Sequence, residues 1–231
     1  MNVDLPVFDA INSFARATPW LHGVMLAYAT YAVALIGGLL VAGWWVARRS
    51  SDPRAVAAAV WAPVAVLAAV GVNQPIVAAV HEPRPYNTLA GVVVLAQRSN
   101  DFSFPSDHAV MAGAATAGVL LITRTWWAWV TVAAGLLLAF ARVYIAAHYP
   151  QDVAAGLLLG AAVSLIGYVL LRRPLTAAVR RLHRGRLAPL VSARPTAAGA
   201  GQQPPLRADR PPPGGLDTQT DVGLDTGRRQ R

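Results

Sequence analysis

Apolar residues come in five long runs, over 21–47, 55–80, 109–123, 126–141 and 153–171, and every charged residue among the first 171 falls outside them. A helix needs roughly 20 apolar residues to cross about 30 Å of hydrocarbon. The first two runs meet that length; the other three are shorter, but their Gly and Ala content suits close helix contact in lipid. Ahead of them, Val7, Phe8, Ile11, Phe14 and Ala15 recur at helical spacing behind Asp4 and Pro6, which predicts a short amphipathic helix on the membrane surface. This stretch has neither the basic start nor the long apolar core of a cleavable signal peptide, so it is expected to stay on the mature protein. The pattern predicts an all-α protein: a polytopic transmembrane helix bundle of about five spans plus an amphipathic N-terminal helix. Its parts are an interfacial helix over 1–20, a transmembrane domain over 21–171, and a basic, largely disordered cytoplasmic tail over 172–231.

Composition sharpens this picture. Of 231 residues, 55% are hydrophobic and 13% charged, which excludes a wholly disordered chain. There is no cysteine, hence no disulfide, thiolate nucleophile or sulfur-ligated metal. All 20 basic residues are arginine, and the net charge of +9 is unevenly spread. Residues 1–171 carry 8 Arg against 7 acids, whereas 172–231 carry 12 against 4. The excess therefore belongs to the tail rather than to a folded nucleic-acid face. From Arg194 onward, Pro, Gly, Gln and Arg dominate and no core can be built. Arg180, Arg181, Arg184 and Arg186 are placed to meet anionic headgroups just past the last span. With five alternating spans, Arg48, Arg49, Arg54, Arg124, Arg172 and Arg173 share one side, which the positive-inside rule makes cytoplasmic.

Polar side chains beside spans mark where function lies. Three clusters qualify: His81-Glu82-Pro83-Arg84-Pro85-Tyr86; Phe104-Pro105-Ser106-Asp107-His108; and Arg142 through His148 to Asp152. All three fall on the side opposite the cytoplasmic arginines. Arg84 and Arg142 suit phosphate oxygens. Ser106, opening the third span, offers a hydroxyl beside free helix N-terminal amides, and the amide of Asp107 can face an oxyanion while its carboxylate turns away. His148 and Asp152 lie one helical turn apart, so the carboxylate can fix the imidazole tautomer and leave the other nitrogen free to attack. His108 suits protonation of a leaving oxygen. Singly, each residue has a plainer role: a snorkelling arginine, an N-cap serine, a Glu82–Arg84 pair at a loop edge. His81 reads as a loop residue, and Arg98 and Asp101 as residues facing water. Joint occurrence, in order and on one side, favours the chemical reading.

The three clusters resemble the type 2 phosphatidic acid phosphatase family, whose pattern runs K-x6-R-P, P-S-G-H, then S-R-x5-H-x3-D. Arg84-Pro85, Pro105-Ser106-Asp107-His108, and Arg142, His148 and Asp152 match it in order. The resemblance implies a phosphohistidine on His148 oriented by Asp152 and His108 as acid. Arg84, Arg142, Ser106 and the Asp107 amide would hold phosphate. No metal and no cofactor is implied. The partners would be a membrane lipid phosphate and the bilayer, without nucleic acid. Within the family the chain looks most like bacterial undecaprenyl-diphosphate phosphatases of the bacitracin-resistance type, which implies a multi-pass protein of the cytoplasmic membrane with its site facing outside. Another lipid phosphate, such as phosphatidylglycerophosphate, phosphatidate or a polyprenyl-phosphoryl sugar phosphate, or a non-catalytic lipid-phosphate binder, is the alternative. The chain departs from the pattern at Val77, where lysine is expected, at Asp107 in place of Gly, and at Ala141 in place of Ser.

Overall fold

A computed structural model describes residues 4–50 and 52–193. Eight α-helices follow one another: α1 (Asp4–Ala17), α2 (His22–Arg49), α3 (Pro53–Val80), α4 (Pro85–Thr88), α5 (Asp107–Ile122), α6 (Trp126–Tyr144), α7 (Pro150–Leu182) and α8 (Ala188–Val191). A 3-10 turn over Pro19–Leu21 joins α1 to α2, and there is no strand among the described residues. Four helices are long and apolar enough to cross a membrane, namely α2, α3, α6 and α7. The fifth predicted span is α5, at 16 residues only. It forms the centre of the bundle, where nine of its residues are buried against neighbouring helices.

Local sequence explains the helix ends. The Asp52 side chain caps α3 by accepting from the Arg54 amide at 2.9 Å, with Pro53 in the first turn. His81 closes the same helix in the left-handed region, with φ of 56°, and its ring meets Phe102 edge-on. At α7 the Asp152 carboxylate reaches back to the Tyr149 amide at 2.8 Å. The last predicted run ends at Leu171, yet α7 continues to Leu182. Arg172, Arg173, Arg180 and Arg181 are therefore helical. The segment read as disordered from Arg194 lies outside the described residues.

Small residues set the packing. A Cβ at Gly160 on α7 would sit 2.0 Å from the Val110 carbonyl oxygen of α5, and one at Gly113 would sit 2.1 Å from the Leu157 carbonyl oxygen. The two backbones thus touch directly, a device of lipid-embedded helices where apolar burial supplies no drive between helices. Polar ties to carbonyls add register: Trp61 Nε1 donates to Ser164 O at 2.8 Å, and Tyr28 Oη to Ala134 O at 2.8 Å. The outward faces stay apolar, as with Leu158, Ile166, Val169 and Leu170 on α7.

Helix α1 docks on the protein as well as facing outward. Phe8 packs on Tyr149, and Ala15 joins Ala141 and Tyr144, while Val7 and Phe14 remain exposed. Buried Asn12 bonds both the carbonyl and the amide of Val93, at 2.9 and 3.0 Å. These bonds pin the long connection over 89–106.

Replacing Gly160 by Val is expected to destabilise the bundle by about 3 kcal/mol, because the neighbour it strikes is backbone and cannot rotate away. Gly38→Ala, where nothing stands within 4 Å, is expected to leave stability unchanged or raise it by up to about 1 kcal/mol. Thermal unfolding in detergent reads both; equal effects would contradict the packing described.

Candidate active site

The site is assembled at the end of the bundle where α3 finishes and α5 and α7 begin. His148 lies in the turn between α6 and α7 and is 2% exposed. Its Nδ1 is 2.8 Å from the carbonyl oxygen of Ser103. A carbonyl can only accept, so Nδ1 carries the proton and Nε2 presents its lone pair. That Nε2 stands 3.2 Å from Arg84 Nη1 and 3.2 Å from Arg142 Nη2. One free imidazole nitrogen is thus flanked by two guanidinium groups from different elements.

Each arginine is positioned by further bonds. Arg84, 7% exposed, donates from Nε and Nη2 to the two carboxylate oxygens of Asp101, at 3.1 and 2.9 Å, and from Nη1 to the Ala147 carbonyl at 3.0 Å. The plainer Glu82–Arg84 pair is not formed; Glu82 instead accepts from Gln151 at 2.8 Å. Asp101 does face water, as expected, but it is also the counter-ion of Arg84. Burial would raise its carboxyl, yet hydrogen bonds from Ser99 and Arg84, with the Arg84 charge, outweigh that and hold it below the ordinary range. Arg98 stacks over the Tyr86 ring at 5.6 Å. Arg142 comes from the last turn of α6, and its Nε is buried without a protein partner among the described residues.

Asp152 does not touch the imidazole at hydrogen-bond length. Its Oδ2 is 3.6 Å from Nδ1, and the Ser103 hydroxyl donates to that same oxygen. Ser103 is therefore the link between the carboxylate and His148, through its hydroxyl on one side and its carbonyl on the other. Sequence reasoning passed it over. It stands three residues before Ser106, and its role depends on a backbone carbonyl that no residue type reveals.

Ser106 is the N-cap of α5 but makes no side-chain cap bond; its hydroxyl is fully buried and unpartnered among the described residues. Asp107 opens the helix with its carboxylate turned toward α3, accepting from Asn73 at 2.7 Å and Gln74 at 3.0 Å. Those two amides are further residues that the sequence reading missed. The His108 side chain makes no protein hydrogen bond among the described residues, and it shares one cavity of about 850 Å³ with Arg84, Arg142, His148 and Val77. Gln74, Asp101 and Asp107 line the same cavity. Ser106 and Asp152 stand behind its wall. The cavity also runs along α2 past Leu26 and Tyr31, which are exposed on the bundle's outer surface.

A PAP2 superfamily profile matches residues 58–174, more than half of the chain. The chain belongs to the PAP2 superfamily. This PAP2 protein is 29% identical to undecaprenyl-diphosphatase BcrC of Bacillus subtilis (strain 168), over 72% of its own length and 81% of the relative's. To the bacitracin transport permease protein BcrC of Bacillus licheniformis it is 30% identical, over 69% and 75%. Among solved structures, Aquifex aeolicus LpxE superposes with a TM-score of 0.58 at 20% identity, covering 73% of this chain and 96% of that one, a likeness of fold. Together with the four long apolar helices, the family makes this a multi-pass membrane protein.

Burial and then the charges of Arg142 and Arg84 push the His148 imidazole well below its ordinary value, against the opposing pull of the Ser103 carbonyl and Asp101. An unperturbed imidazole is about three-quarters protonated at pH 6. His148 is expected to remain neutral there, protonating only at lower pH. Nitrogen-15 NMR of histidine-labelled protein, with His148→Gln for assignment, checks this. An Nδ1–H tautomer unchanged from pH 8 to pH 6 is the expected result; a midpoint at or above 6.5 would contradict it.

Proposed function

We propose that this PAP2 protein hydrolyses a lipid diphosphate through a phosphohistidine on His148, with undecaprenyl diphosphate as substrate. The observation that carries the reading is the placement of His148 Nε2 at 3.2 Å from each of two arginines. Guanidinium groups converging on one point favour a phosphoryl group there, because both bring positive charge and N–H donors that its oxygens can accept from. The nitrogen between them is then the group nearest to phosphorus.

The terminal phosphoryl group sits against Arg84 and Arg142, with the amides opening α5 as further donors. His148 Nε2 attacks phosphorus in line, a P–N bond forms, and the bond to the bridging oxygen breaks. The departing lipid monophosphate takes a proton from His108. Water then attacks the phosphohistidine, gives its proton to His108 and releases inorganic phosphate. Hydrogen bonding to the Ser103 carbonyl stabilises the imidazolium-like His148 as charge develops. Arginine supplies the positive charge at the phosphoryl group, so the step is proposed to be independent of metal.

Support for a lipid substrate comes from the extension of the cavity along α2. A headgroup can occupy the polar end while its chain stays in the bilayer. The choice of undecaprenyl diphosphate leans on the BcrC relatives. The arginine bias at the far ends of the spans supports the reading that this site faces outside, in a protein of the bacterial cytoplasmic membrane.

One observation favours a second reading. Val77 presents an apolar wall where an ammonium group is expected, and nearby Gln74 is engaged with Asp107. With one charged contact fewer, the site suits a weaker or different phosphate, or lipid-phosphate binding without turnover.

His148→Ala is expected to lower phosphate release from undecaprenyl diphosphate at least about 1,000-fold, and Arg142→Lys about 100-fold. Chelators should change neither the wild type nor its substrate order. A release assay in detergent comparing undecaprenyl diphosphate with phosphatidylglycerophosphate and phosphatidate reads all three. Full activity of His148→Ala, or an absolute need for added divalent metal, would overturn the mechanism. Retained lipid binding with no turnover in wild type or in Val77→Lys would favour the binder.

A further inference from the structure

A second cavity, of about 700 Å³, lies at the opposite end of α3 and α7 from His148. Six arginines line it: Arg54 near the start of α3, and Arg172, Arg173, Arg180, Arg181 and Arg184 on or just beyond the last turns of α7. The separation of Pro150 from Arg172, 22 residues of continuous helix, corresponds to about 33 Å. The two cavities therefore belong to different faces of the membrane. No carboxylate lines this one, and none of its six arginines forms an ion pair among the described residues. Asp52, the acid closest in sequence, spends an oxygen on the Arg54 amide.

So many like charges around one cavity repel each other. The arrangement is relieved by a multivalent anion. Phosphate suits it better than carboxylate does, because three oxygens can accept from several guanidinium forks at once. The cavity is polar where it needs to be: Tyr168 and Thr176 also line it, and their hydroxyls are held by the Arg54 and Arg172 carbonyls at 3.2 and 2.6 Å. Its position is also informative. Val169, Leu170 and Leu171, 60%, 71% and 41% exposed, immediately precede Arg172. The lipid-facing surface of α7 thus ends where the arginines begin, at the depth of a headgroup.

We infer that this arginine-lined cavity is a binding site for a group bearing at least two phosphate charges, separate from the catalytic cavity and held between α3 and α7 at the other membrane face. The chemistry is shared by a doubly phosphorylated lipid headgroup and by soluble diphosphate. The site does not depend on the reaction assigned to His148, so each stands or falls alone.

The test uses the full chain in neutral detergent, titrated with tetraoleoyl cardiolipin by native mass spectrometry and with inorganic diphosphate by calorimetry. At least one probe is expected to bind the wild type below 100 µM, and Arg173→Gln/Arg180→Gln/Arg184→Gln is expected to weaken it about tenfold or more. Arg16→Gln/Arg49→Gln/Arg124→Gln removes the same number of charges from exposed positions that do not line the cavity and is expected to stay within about twofold, since exposed charges away from a ligand are screened. Cardiolipin binding without diphosphate binding identifies a lipid source, and binding of diphosphate identifies phosphate itself as what is recognised; both support the site. Absence of binding by either probe, or equal loss in the two triple variants, would overturn it. Thermal unfolding of both triple variants in detergent, with a midpoint unchanged from the wild type, reports that they are folded.

Discussion

A single hydrogen bond from His148 Nδ1 to the Ser103 carbonyl decides what the imidazole can do. It fixes the proton on one nitrogen and turns the other toward Arg84 and Arg142. The other tautomer would set an Nε2–H against two guanidinium groups, where donors face donors. The carbonyl is itself fixed, because the Ser103 amide donates to the Glu82 carbonyl at 2.7 Å and its hydroxyl donates to Asp152. Three segments distant in sequence meet at this one residue: the end of α3, the connection over 89–106 and the start of α7. Burial then keeps the nitrogen uncharged, so geometry and protonation act in the same direction.

This arrangement needs the helices to be held to a fraction of an ångström, and the bundle achieves that with backbone contact. Gly113 and Gly160 let α5 and α7 touch, while the Ser106 amide donates to the Asp152 carbonyl at 3.1 Å. The first turns of both helices are thereby locked side by side, and these turns carry His108 and Asp152. The connection over 89–106 is held just as firmly: Leu95 and Ala96 donate to the Ile145 carbonyl, and Asn12 of α1 clasps Val93. The amphipathic first helix thus serves the site as well as the membrane surface. Its Phe8 packs on Tyr149, next in sequence to His148.

Much of this was legible in the sequence. Apolar runs free of charge give the spans because lipid tolerates little else, and spacing puts Arg142, His148 and Asp152 around one turn. The central position of α5 was less visible, since a short Ala- and Gly-rich run reads alike whether it faces lipid or protein. Contacts made by backbone atoms escaped the reading altogether, as with the Ser103 carbonyl. Asp101 read as a solvated loop residue because nothing in its neighbours ties it to Arg84, 17 positions earlier. Asp107 was read with its carboxylate turned away, but not that Asn73 and Gln74 would receive it. The continuation of α7 past Leu171 was hidden by the change from apolar to basic residues, which alters the helix's surroundings without breaking its backbone.

The central claim, that His148 Nε2 is the atom that takes the phosphoryl group, is tested most directly by trapping. Undecaprenyl diphosphate carrying phosphorus-32 in its terminal phosphate is mixed with excess protein, denatured in alkali within the first turnover, and the protein is digested and mapped. Label that is stable to alkali, released by acid and confined to the peptide containing His148 is the predicted result. Phosphate release at an undiminished rate, with no label on that histidine at any time during the turnover, would contradict it.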